Sequence, residues 1–468
     1  MMQRIKGFLG EILTYKSALV GLIIIFSLVA LSIYTIATIP YEKATKLWNA
    51  GETIWLENPR NAMPKWVNLF LSKKLPETII INSEKDQRGV TKIVIPVTER
   101  ISRIRIELSF KYEYDDFPSE INLFFNVRYN KTPPHIAIYW VKPNGEKFKL
   151  KELYVKRSGA YYISIDEELS KELHTYLSEK VGKEIEYAIS PEIALFAVED
   201  ETIVHRDTVK PLKGRYKVII DGILFGNNSN LDVKLVVYGK VYGIAGTDHL
   251  RRDLSIALLW GTPIALSFGV IASVVTALLQ MVIAAISAWY GSVTDFFIQR
   301  LTEIFMVLPF LPILMMISYF YKINIWVLLL VVIALSIFGA GIKNYRAMFL
   351  QIKEFPYVEA ARAYGASNLR IVFRYLIPKV LPTIIPSIVY SVPSFVFLEA
   401  ALALLGLGDP LAPTWGKVLD DALENGALYK GYYYWVLEPS FLLVLTAFGF
   451  AMLGFALDKI FNPRLREM

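Results

Sequence analysis

The longest uncharged stretch of this sequence does most to restrict how the chain can fold. Residues 254–294 contain no Asp, Glu, Lys or Arg. A bilayer core about 30 Å thick needs roughly 20 apolar residues in helical form, so this stretch is longer than a single membrane span. We therefore expect an interfacial lead-in followed by a membrane helix near 262–289.

The charged residues are concentrated in one part of the chain. Residues 41–253 hold 33 Lys and Arg and 30 Asp and Glu, whereas the other 255 residues hold 17 basic and 13 acidic side chains. The overall composition, 54% hydrophobic and 20% charged, is thus an average over two kinds of sequence. It excludes a single soluble domain and a protein embedded in the membrane throughout. It predicts one polar domain, large enough to bury its own core, inside a membrane protein.

Further apolar segments fit membrane helices by length. The first, residues 17–40, is longer than the roughly 7–15 apolar residues of a secretory signal peptide, so we predict an uncleaved helix there. Upstream, apolar side chains at helical spacing predict an amphipathic elbow helix over residues 1–16 that lies on the membrane surface. The other predicted spans, which bring the total to six, are residues 301–320, 325–342, 380–405 and 435–457.

The distribution of Lys and Arg predicts the orientation of these helices, because basic loops favour the cytoplasmic side. The N-terminal segment, residues 343–379 and the C-terminal tail are all rich in basic residues. The loop 406–434, in contrast, has two basic and four acidic residues. We predict a multi-pass protein of the cell membrane in which both termini and 343–379 are cytoplasmic. The 41–253 domain and the 406–434 loop are then extracytoplasmic.

The 41–253 domain has the pattern of a mainly β fold. Several segments rich in Ile, Val and Tyr show partial period-two alternation, and turn sequences separate them. A helix is predicted near 166–181, since acidic residues open it and Gly182 closes it. We predict an antiparallel sandwich for the rest. Its expected strands lie within residues 103–114, 121–129, 135–141, 160–165, 214–225 and 232–243.

Several kinds of chemistry are excluded by the sequence or have no support in it. The chain has no cysteine, so it has no disulfide, thiolate nucleophile or Cys-based metal site. It has no GxxxxGKS or GxxxxGKT pattern, so we do not expect it to hydrolyse nucleotide by itself. Its four histidines show no metal-ligand spacing, and we predict no metal and no cofactor in this chain. The basic residues form no aromatic-interleaved patch that would bind nucleic acid.

Three carboxylates, Glu303, Glu399 and Glu438, lie in or beside the predicted spans. A charge at mid-bilayer costs about 2.5–3.5 kcal/mol or more, so an intramembrane carboxylate is a candidate proton relay. All three fall near predicted helix ends, where we expect interfacial water to solvate them. Asn130 and Asn227 each begin an N-glycosylation sequon on the predicted outer face.

The predicted cytoplasmic loop 343–379 contains the most informative stretch of the sequence. Tyr357–Ala363 is expected to form a short helix, Gly365 to permit a sharp turn, and Ser367 to cap a second helix. The apolar face expected on that second helix comprises Leu369, Val372, Phe373 and Leu376. The product would be a helix-turn-helix ledge on the basic side of the membrane. The pattern by itself also fits an ordinary amphipathic connector.

This stretch resembles a known family. Glu359-Ala360-Ala361, Gly365 and Ile377-Pro378 are similar to the EAA loop of permease subunits in binding-protein-dependent ABC importers. Other motifs, in the same order along the chain, resemble C-type subunits of dipeptide and oligopeptide importers. They are Gly246-Thr247-Asp248 with Arg252-Asp253, Leu398–Gly408, Pro413–Gly416 and the ending Asn462–Arg466. The resemblance covers about residues 1–40 and 246–468, and several separated motifs make it specific.

The resemblance implies an α-helical ABC importer type I permease with six transmembrane helices, interrupted by a mainly β extracytoplasmic insertion. In this arrangement, residues 254–468 form the five-helix transmembrane core of the permease. The implied partners are a second permease subunit, two cytoplasmic ATPases that bind ATP and Mg²⁺, and an external substrate-binding protein. The EAA loop would dock an ATPase, and the implied coupling residues are Glu359, Ala360, Ala361, Gly365 and Ala366. The solute could be a peptide, an oligosaccharide or a metal chelate.

The sequence departs from the family pattern in three places. Arg251 stands where the family usually has glycine, so the turn there is expected to be built differently. Tyr375 stands where histidine is frequent. The insertion 41–253 is far longer than the corresponding segment of the subfamily, and we expect it to dock the binding protein or the partner permease.

Functions of two other classes stay open at this point. A membrane-anchored receptor or adhesion module would bind a ligand through the outer domain and use the helices only as an anchor. A membrane-embedded enzyme would need a convergent catalytic set, which the sequence does not show. Copurification with two ATPase chains would favour the importer, whereas a lone oligomer would favour the receptor.

Overall fold

The structure is a computed structural model that describes residues 14–85, 88–226, 228–321 and 323–461. It contains two compact units. Residues 50–255 form one, which we call the β unit, and the chain on either side forms the other, which we call the helical unit. The predicted elbow helix, apart from its last three residues, lies outside the described residues, as do Asn227 and the motif at 462–466.

Along the chain, the elements of the β unit come between two parts of the helical unit. The helices are α1 (Lys16–Thr38), α2 (Tyr41–Trp48), α3 (Glu167–Val181), α4 (Pro191–Ala194), α5 (Leu254–Tyr290), α6 (Ser292–Val307), α7 (Phe310–Tyr321), α8 (Ile325–Ser336), α9 (Ala340–Lys353), α10 (Pro356–Ala363), α11 (Asn368–Ile371), α12 (Ile377–Leu404), α13 (Trp415–Glu424) and α14 (Tyr433–Phe461). The strands are β1 (Ile79–Asn82), β2 (Val90–Thr98), β3 (Ile101–Tyr112), β4 (Glu120–Arg128), β5 (His135–Val141), β6 (Lys147–Tyr154), β7 (Gly159–Tyr162), β8 (Gly214–Phe225) and β9 (Asn230–Tyr238). Short 3₁₀ helices cover Lys65–Leu69, Ile163–Ile165 and Glu201–Ile203, and a π-helix covers Val372–Leu376.

Four helical segments of the described chain are long and apolar enough to cross a membrane. They are α1, α5, the continuous run Asn368–Leu404 and α14. Two bent helix pairs raise the number to six if each pair crosses as one span. Length and composition therefore support four to six crossings.

The two bent pairs lie where single spans are expected, at 301–320 and 325–342. α6 and α7 meet at 77°, and α8 and α9 meet at 50°. Leu308, at the first break, has extended backbone because a residue before proline is sterically kept out of the helical region. Gly339, at the second break, is also extended. Pro309 marks the first break in the sequence, whereas apolar residues continue through the second.

The expected lead-in before the second span is absent from the described chain, because α5 is one helix of 37 residues that begins at Leu254. Pro263 lies inside this helix and cannot donate to the carbonyl of Leu259. The hydroxyl of Thr35 on α1 donates to that carbonyl at 3.5 Å. A neighbouring helix thus supplies a hydrogen bond that proline removes, as membrane helices require.

Glycines set the contact between α1 and α14. A Cβ atom added to Gly21 would lie 2.7 Å from the carbonyl oxygen of Gly449 and from the amide nitrogen of Leu453. Both atoms belong to the backbone, so they cannot move aside as a flexible side chain could. Small residues at this crossing therefore let the two helices pack closely, which is a common solution in membranes.

The β unit consists of two antiparallel sheets. The strand orders are β1-β9-β4-β7 and β2-β3-β8-β5-β6. Inward-facing residues of both sheets, such as Ile106 and Leu123, belong to one hydrophobic core. The two sheets thus share the core that the sequence predicts for a sandwich. The first sequon residue, Asn130, is exposed on this unit.

The sequence identified most but not all elements of the β unit. The predicted helix is confirmed as α3, with Asp166 accepting a hydrogen bond from the amide of Leu169 and Gly182 in the left-handed conformation at its end. Strands β1, β2 and β6 were not predicted. β1 has only four residues and β2 contains Pro96, so both give weak strand signals, whereas β6 alternates Lys with Phe and Leu at its start and could have been recognised.

Candidate functional site

The EAA segment, residues 356–376, forms the helix-turn-helix predicted from its sequence. Its first helix, α10, begins with Pro356 at a position where the missing amide hydrogen costs little. Gly365 follows with φ of +80°, and the amide of Ala366 donates to the carbonyl of Ala361 at 3.1 Å. The hydroxyl of Ser367 then accepts from the amide of Arg370, which caps α11.

Gly365 is needed for its backbone conformation and not for lack of space. A Cβ atom at this position would meet no heavy atom within 4 Å. Its φ of +80°, however, is one that side-chain-bearing residues rarely adopt. The turn between the two helices therefore depends on glycine, while the outer surface of the turn has room for larger groups.

The second helix of the segment presents a different face from the one expected. Ile371, Val372 and Leu376 are fully buried, whereas Leu369 and Phe373 are more than half exposed. Of the four residues expected on one apolar face, Val372 and Leu376 are therefore buried and Leu369 and Phe373 are not. The second part of this helix, Val372–Leu376, is a π-helix and departs from 3.6-residue spacing.

The predicted coupling residues lie together on the first helix and the turn. Glu359 and Ala360 are exposed, Ala361 is buried against the helical unit, Gly365 is exposed and Ala366 is half-buried. Between them, Tyr364 is 94% exposed. Sequence reasoning had not singled out this tyrosine, although an aromatic residue at the tip of a basic loop was a signal that could have been used.

A hydrophobic cluster attaches the EAA segment to α5 and α9. Its members are at most 8% exposed. They include Ala284, Ala285 and Ala288 of α5, Ile342, Tyr345 and Phe349 of α9, Val358 of α10, and Ile371, Val372 and Leu376. Because packed cores resist deformation, a displacement of the EAA segment is expected to carry these helix ends with it.

Polar contacts reinforce this attachment at the end of α5. The indole nitrogen of Trp289 donates to the side-chain oxygen of Asn368 at 3.2 Å. The ammonium of Lys353 donates to the carbonyl of Ala288 at 3.3 Å and lies over the Trp289 ring. A cation at this position also compensates the negative end of the helix dipole. These contacts had not been predicted, because Lys353 was counted only for membrane orientation.

An ion pair joins α6 to α9 nearby. Arg346 donates through Nε and Nη2 to the two carboxylate oxygens of Asp295, at 2.6 and 2.5 Å. Bidentate pairs of this kind fix geometry as well as charge. The hydroxyl of Ser287 donates to the same carboxylate at 2.5 Å. The end of α5, the start of α6 and the middle of α9 are therefore held in one network.

Tyr375, which stands where the family often has histidine, contributes through its backbone. Its carbonyl accepts a hydrogen bond from the hydroxyl of Tyr357 at 3.4 Å. Burial raises the pKa of Tyr357, so its phenol stays protonated at neutral pH and remains a donor. This bond spans the two helices of the EAA segment.

The resemblance motifs near the end of α12 assemble into one packing unit. The indole nitrogen of Trp415 donates to the carbonyl of Leu258 at 2.9 Å. A Cβ atom on Gly416 would lie 2.8 Å from the Cα atom of Ala400, so only glycine fits there. The residues at 398–408 and 413–416 thus pack together and against α5.

Glu399 is buried in this unit, contrary to the expectation that interfacial water solvates it. It is 2% exposed, and the side chain of Thr414 lies close to its carboxyl group. Thr414 also accepts from the amide of Lys417 and so caps α13. A position near a helix end did not guarantee exposure here, because the chain after α12 folds back over it. Glu303, in contrast, is exposed and pairs with Arg300 at 2.8 Å.

Arg251 has a backbone conformation that glycine adopts more readily than other residues. Its φ is +65°. The side chain offsets the strain by donating to the carbonyl of Asn58 at 2.7 Å and to the carboxylate of Glu120 at 2.5 Å. The guanidinium also lies over the ring of Tyr238.

Within the described chain, Asp420, Asp421 and Glu424 form a carboxylate group whose oxygens lie within 4.8 Å of one another. Lys417 reaches Asp420 at 2.8 Å and Asp421 at 3.0 Å. The lysine thus supplies the positive charge that these carboxylates require, and the group is best described as an ion-pair cluster.

Comparison with known proteins gives consistent similarities. The family model described as binding-protein-dependent transport system inner membrane component matches residues 280–467. The dipeptide transport system permease protein DppC of Bacillus subtilis (strain 168) is 30% identical over 226 residues, which is 47% of this chain and 69% of that protein. The oligopeptide transport system permease protein OppC of the same organism is 32% identical over 227 residues, 47% of this chain and 72% of that protein. The peptidoglycan transport system permease protein YejE of Agrobacterium fabrum (strain C58 / ATCC 33970) is 32% identical over 222 residues, 47% of this chain and 56% of that protein.

Proposed function

This chain belongs to the inner-membrane permease family of binding-protein-dependent ABC importers, and from that premise we propose that it moves oligopeptides or similar small solutes across the membrane and is driven through its EAA segment. The helical unit would form part of the translocation pathway. The names of the similar permeases, which mention dipeptides, oligopeptides and peptidoglycan, support a peptide-type solute. The buried packing of the EAA segment onto α5 and α9 is the observation that carries the coupling role.

The proposed topology has six crossings. The four long helical segments and the two bent pairs would supply them, and the Lys and Arg distribution supports cytoplasmic termini and a cytoplasmic EAA segment. The β unit would then be extracytoplasmic, since α1 precedes it and α5 follows it. This arrangement keeps all three basic segments on the cytoplasmic side.

The exposed surface of the EAA segment is suited to docking. Tyr364, Leu369 and Phe373 present large apolar side chains beside the small residues Ala360 and Gly365. Exposed apolar groups that are rimmed by charge mark protein interaction sites. We propose that this surface enters a cleft of a cytoplasmic ATPase, with Glu359 positioning the first helix. Nucleotide-driven movement of the ATPase would then displace the segment together with α5 and α9.

The proposed assembly contains this chain, a second permease subunit, two ATPases and an external substrate-binding protein. ATP and Mg²⁺ would be bound by the ATPases, and this permease would perform no catalysis itself. The family match lies on the helical unit, which a receptor would need only as an anchor. The receptor or adhesion function is therefore the weaker interpretation.

The experiment that tests coupling is the substitution Gly365→Trp. Tryptophan combines a disfavoured backbone conformation with a bulky group at the proposed docking surface. We expect the variant to reach the membrane and assemble, but to lose solute uptake while the ATPases continue to hydrolyse ATP. The measurement is uptake and ATP hydrolysis in proteoliposomes that contain the assembled importer.

Gly431 offers a matched control. Its φ is +81°, and a Cβ atom there would also meet nothing within 4 Å. Gly431→Trp therefore introduces the same side chain into the same kind of turn, outside the EAA segment. It should leave the ratio of uptake to hydrolysis unchanged. Normal uptake by Gly365→Trp, or an equal loss in both variants, would contradict the coupling role.

A further inference from the structure

The β unit carries an apolar patch that the described chain leaves open to solvent. Leu69, Phe70 and Ile244 are each at least 80% exposed, and Trp66 and Leu71 are more than 40% exposed. We call these five residues the apolar patch. Large aromatic and aliphatic side chains are seldom grouped on the surface of a soluble domain without a partner.

The patch is a fixed surface. The indole nitrogen of Trp66 donates to the carbonyl of Ile244 at 2.9 Å, which joins two distant parts of the chain. The rings of Trp66 and Phe70 meet edge to face at 6.2 Å between centroids. The side chain of Asn68 bonds both the amide and the carbonyl of Leu75, at 3.0 and 3.1 Å, and closes the loop. The apolar side chains are therefore held outward by a bonded backbone.

The composition of the patch favours contact with lipid over contact with another protein. Trp, Leu and Phe stand beside the exposed Lys73 and Lys74. Tryptophan is enriched at the membrane–water interface, where its apolar ring enters the boundary and its N–H finds a partner. Lysines next to such residues extend their ammonium groups toward the lipid headgroups. The Trp66 N–H is already bonded within the protein, so its ring can enter the boundary without losing a hydrogen bond.

The position of the patch in the chain also points to the bilayer. The β unit begins at Ala50 and ends at Ser255, and helices of the membrane protein precede and follow it. Ile244 lies ten residues before the first residue of α5, and Trp66 lies sixteen residues after Ala50. The patch is thus built from the two stretches of the β unit that are close in sequence to its connections. Both stretches are tethered to helices that enter the membrane.

We propose that the apolar patch inserts into the interfacial layer of the bilayer that holds the permease. The β unit would then be held to the lipid surface by Trp66, Leu69, Phe70, Leu71 and Ile244 as well as by its two chain connections. This contact would restrict the orientation of the β unit above the membrane. It rests on the chain being a membrane permease and not on the coupling role of the EAA segment.

The absence of cysteine from the chain allows a direct test. Phe70→Cys provides a single thiol on the patch, and Phe70 is so exposed that its replacement removes little packing. Val97→Cys is the matched control, because Val97 is an apolar residue of the same unit that is 63% exposed and not part of the patch. Each full-length variant is labelled with the fluorophore NBD and reconstituted into vesicles of phosphatidylcholine and phosphatidylglycerol.

Insertion into lipid predicts two changes for the label at position 70. Its emission should shift to shorter wavelength on reconstitution, and lipids carrying a doxyl quencher near the headgroup should reduce its intensity. The label at position 97 should show neither change. An unshifted emission at position 70 would overturn the proposal. So would a shifted emission that lipid-borne quenchers do not reduce, because that result would indicate that protein covers the patch.

Discussion

The two units of this chain satisfy the hydrogen bonds of their backbone groups in different ways. In the helical unit, side chains of neighbouring helices bond carbonyls of α5: Thr35 donates to Leu259 and Trp415 donates to Leu258. In the β unit, ladders of antiparallel strands satisfy the backbone within each sheet. The comparison teaches that polar side chains complete contacts between segments of the helical unit, whereas in the β unit the strands satisfy one another.

Packing shows the same contrast. The β unit has a core with stacked aromatic rings, in which Phe196 lies 4.5 Å from Tyr112 and 4.6 Å from Tyr216 between ring centroids. The helical unit uses glycine at the crossing of α1 and α14. In the β unit, burial of aromatic rings is favourable because it removes apolar surface from water. Helices in a membrane gain less from burial, because lipid is as apolar as their side chains. Close contact therefore has to replace burial as the source of stability between the helices.

The largest expected effect comes from the aromatic core. Phe196 is fully buried, and Phe196→Ala should lower the free energy of unfolding of the β unit by about 3–5 kcal/mol, since it leaves a cavity among rings that cannot all collapse into it. Hydrogen exchange of the purified full-length protein is the measurement. Protection should fall in β3, β5 and β8 and stay unchanged in α14.

Ile165 provides the control for this substitution, because it lies in the same unit and is 74% exposed. Ile165→Ala should change the free energy of unfolding by no more than about 0.5 kcal/mol. A loss of protection in the helical unit after Phe196→Ala would show that the two units do not unfold separately. The comparison between them would then need revision.

A smaller effect is expected at the glycine crossing. Gly21→Val would place its side chain against the carbonyl of Gly449, and overpacking of this kind costs about 1–3 kcal/mol. The melting temperature of the protein in lipid nanodiscs should fall, while exchange in the β unit stays as it was. Ile23→Val changes the same helix at a residue that is 57% exposed, and it should leave the melting temperature unaltered. Equal melting temperatures for all three proteins would mean that α1 and α14 are not in close contact.

The sequence predicts the two kinds of unit better than it predicts their details. Charge distribution separates the polar region from the apolar segments, and capping residues such as Asp166 and Ser367 mark helix starts that the structure contains. These signals are local, so one sequence is enough to interpret them. Pro309 is a local signal for the bend after Val307, whereas the bend after Ser336 was missed because apolar composition continues through it.

The candidate site contains features that local sequence patterns do not predict. The turn at Gly365 follows from glycine in a short segment, but helical periodicity does not predict the exposure of Leu369 and Phe373 or the π-helix at Val372–Leu376. Glu399 is buried where the chain after α12 folds back, and Thr414, which lies close to it, is fifteen residues further along the chain. Likewise, the attachment of Lys353 to the end of α5 joins residues 65 positions apart. Contacts of this kind require the tertiary structure.

The smallest expected effect tests how much a side-chain hydrogen bond to α5 contributes to the stability of the helical unit. Trp415→Phe keeps a buried aromatic ring but removes the donor to the carbonyl of Leu258, and we expect a loss of about 1 kcal/mol. The hydroxyl of Thr262 also donates to this carbonyl, at 3.1 Å, so the oxygen keeps one partner. Trp326→Phe, at a half-exposed ring on α8, is the control for the change of side chain.

If the melting temperature in nanodiscs falls as far for Trp415→Phe as for Gly21→Val, then side-chain bonds to α5 stabilise the helical unit as much as close packing does. In that case polar contacts between helices would be a main source of stability, and the contrast with the β unit would be sharper than packing alone suggests.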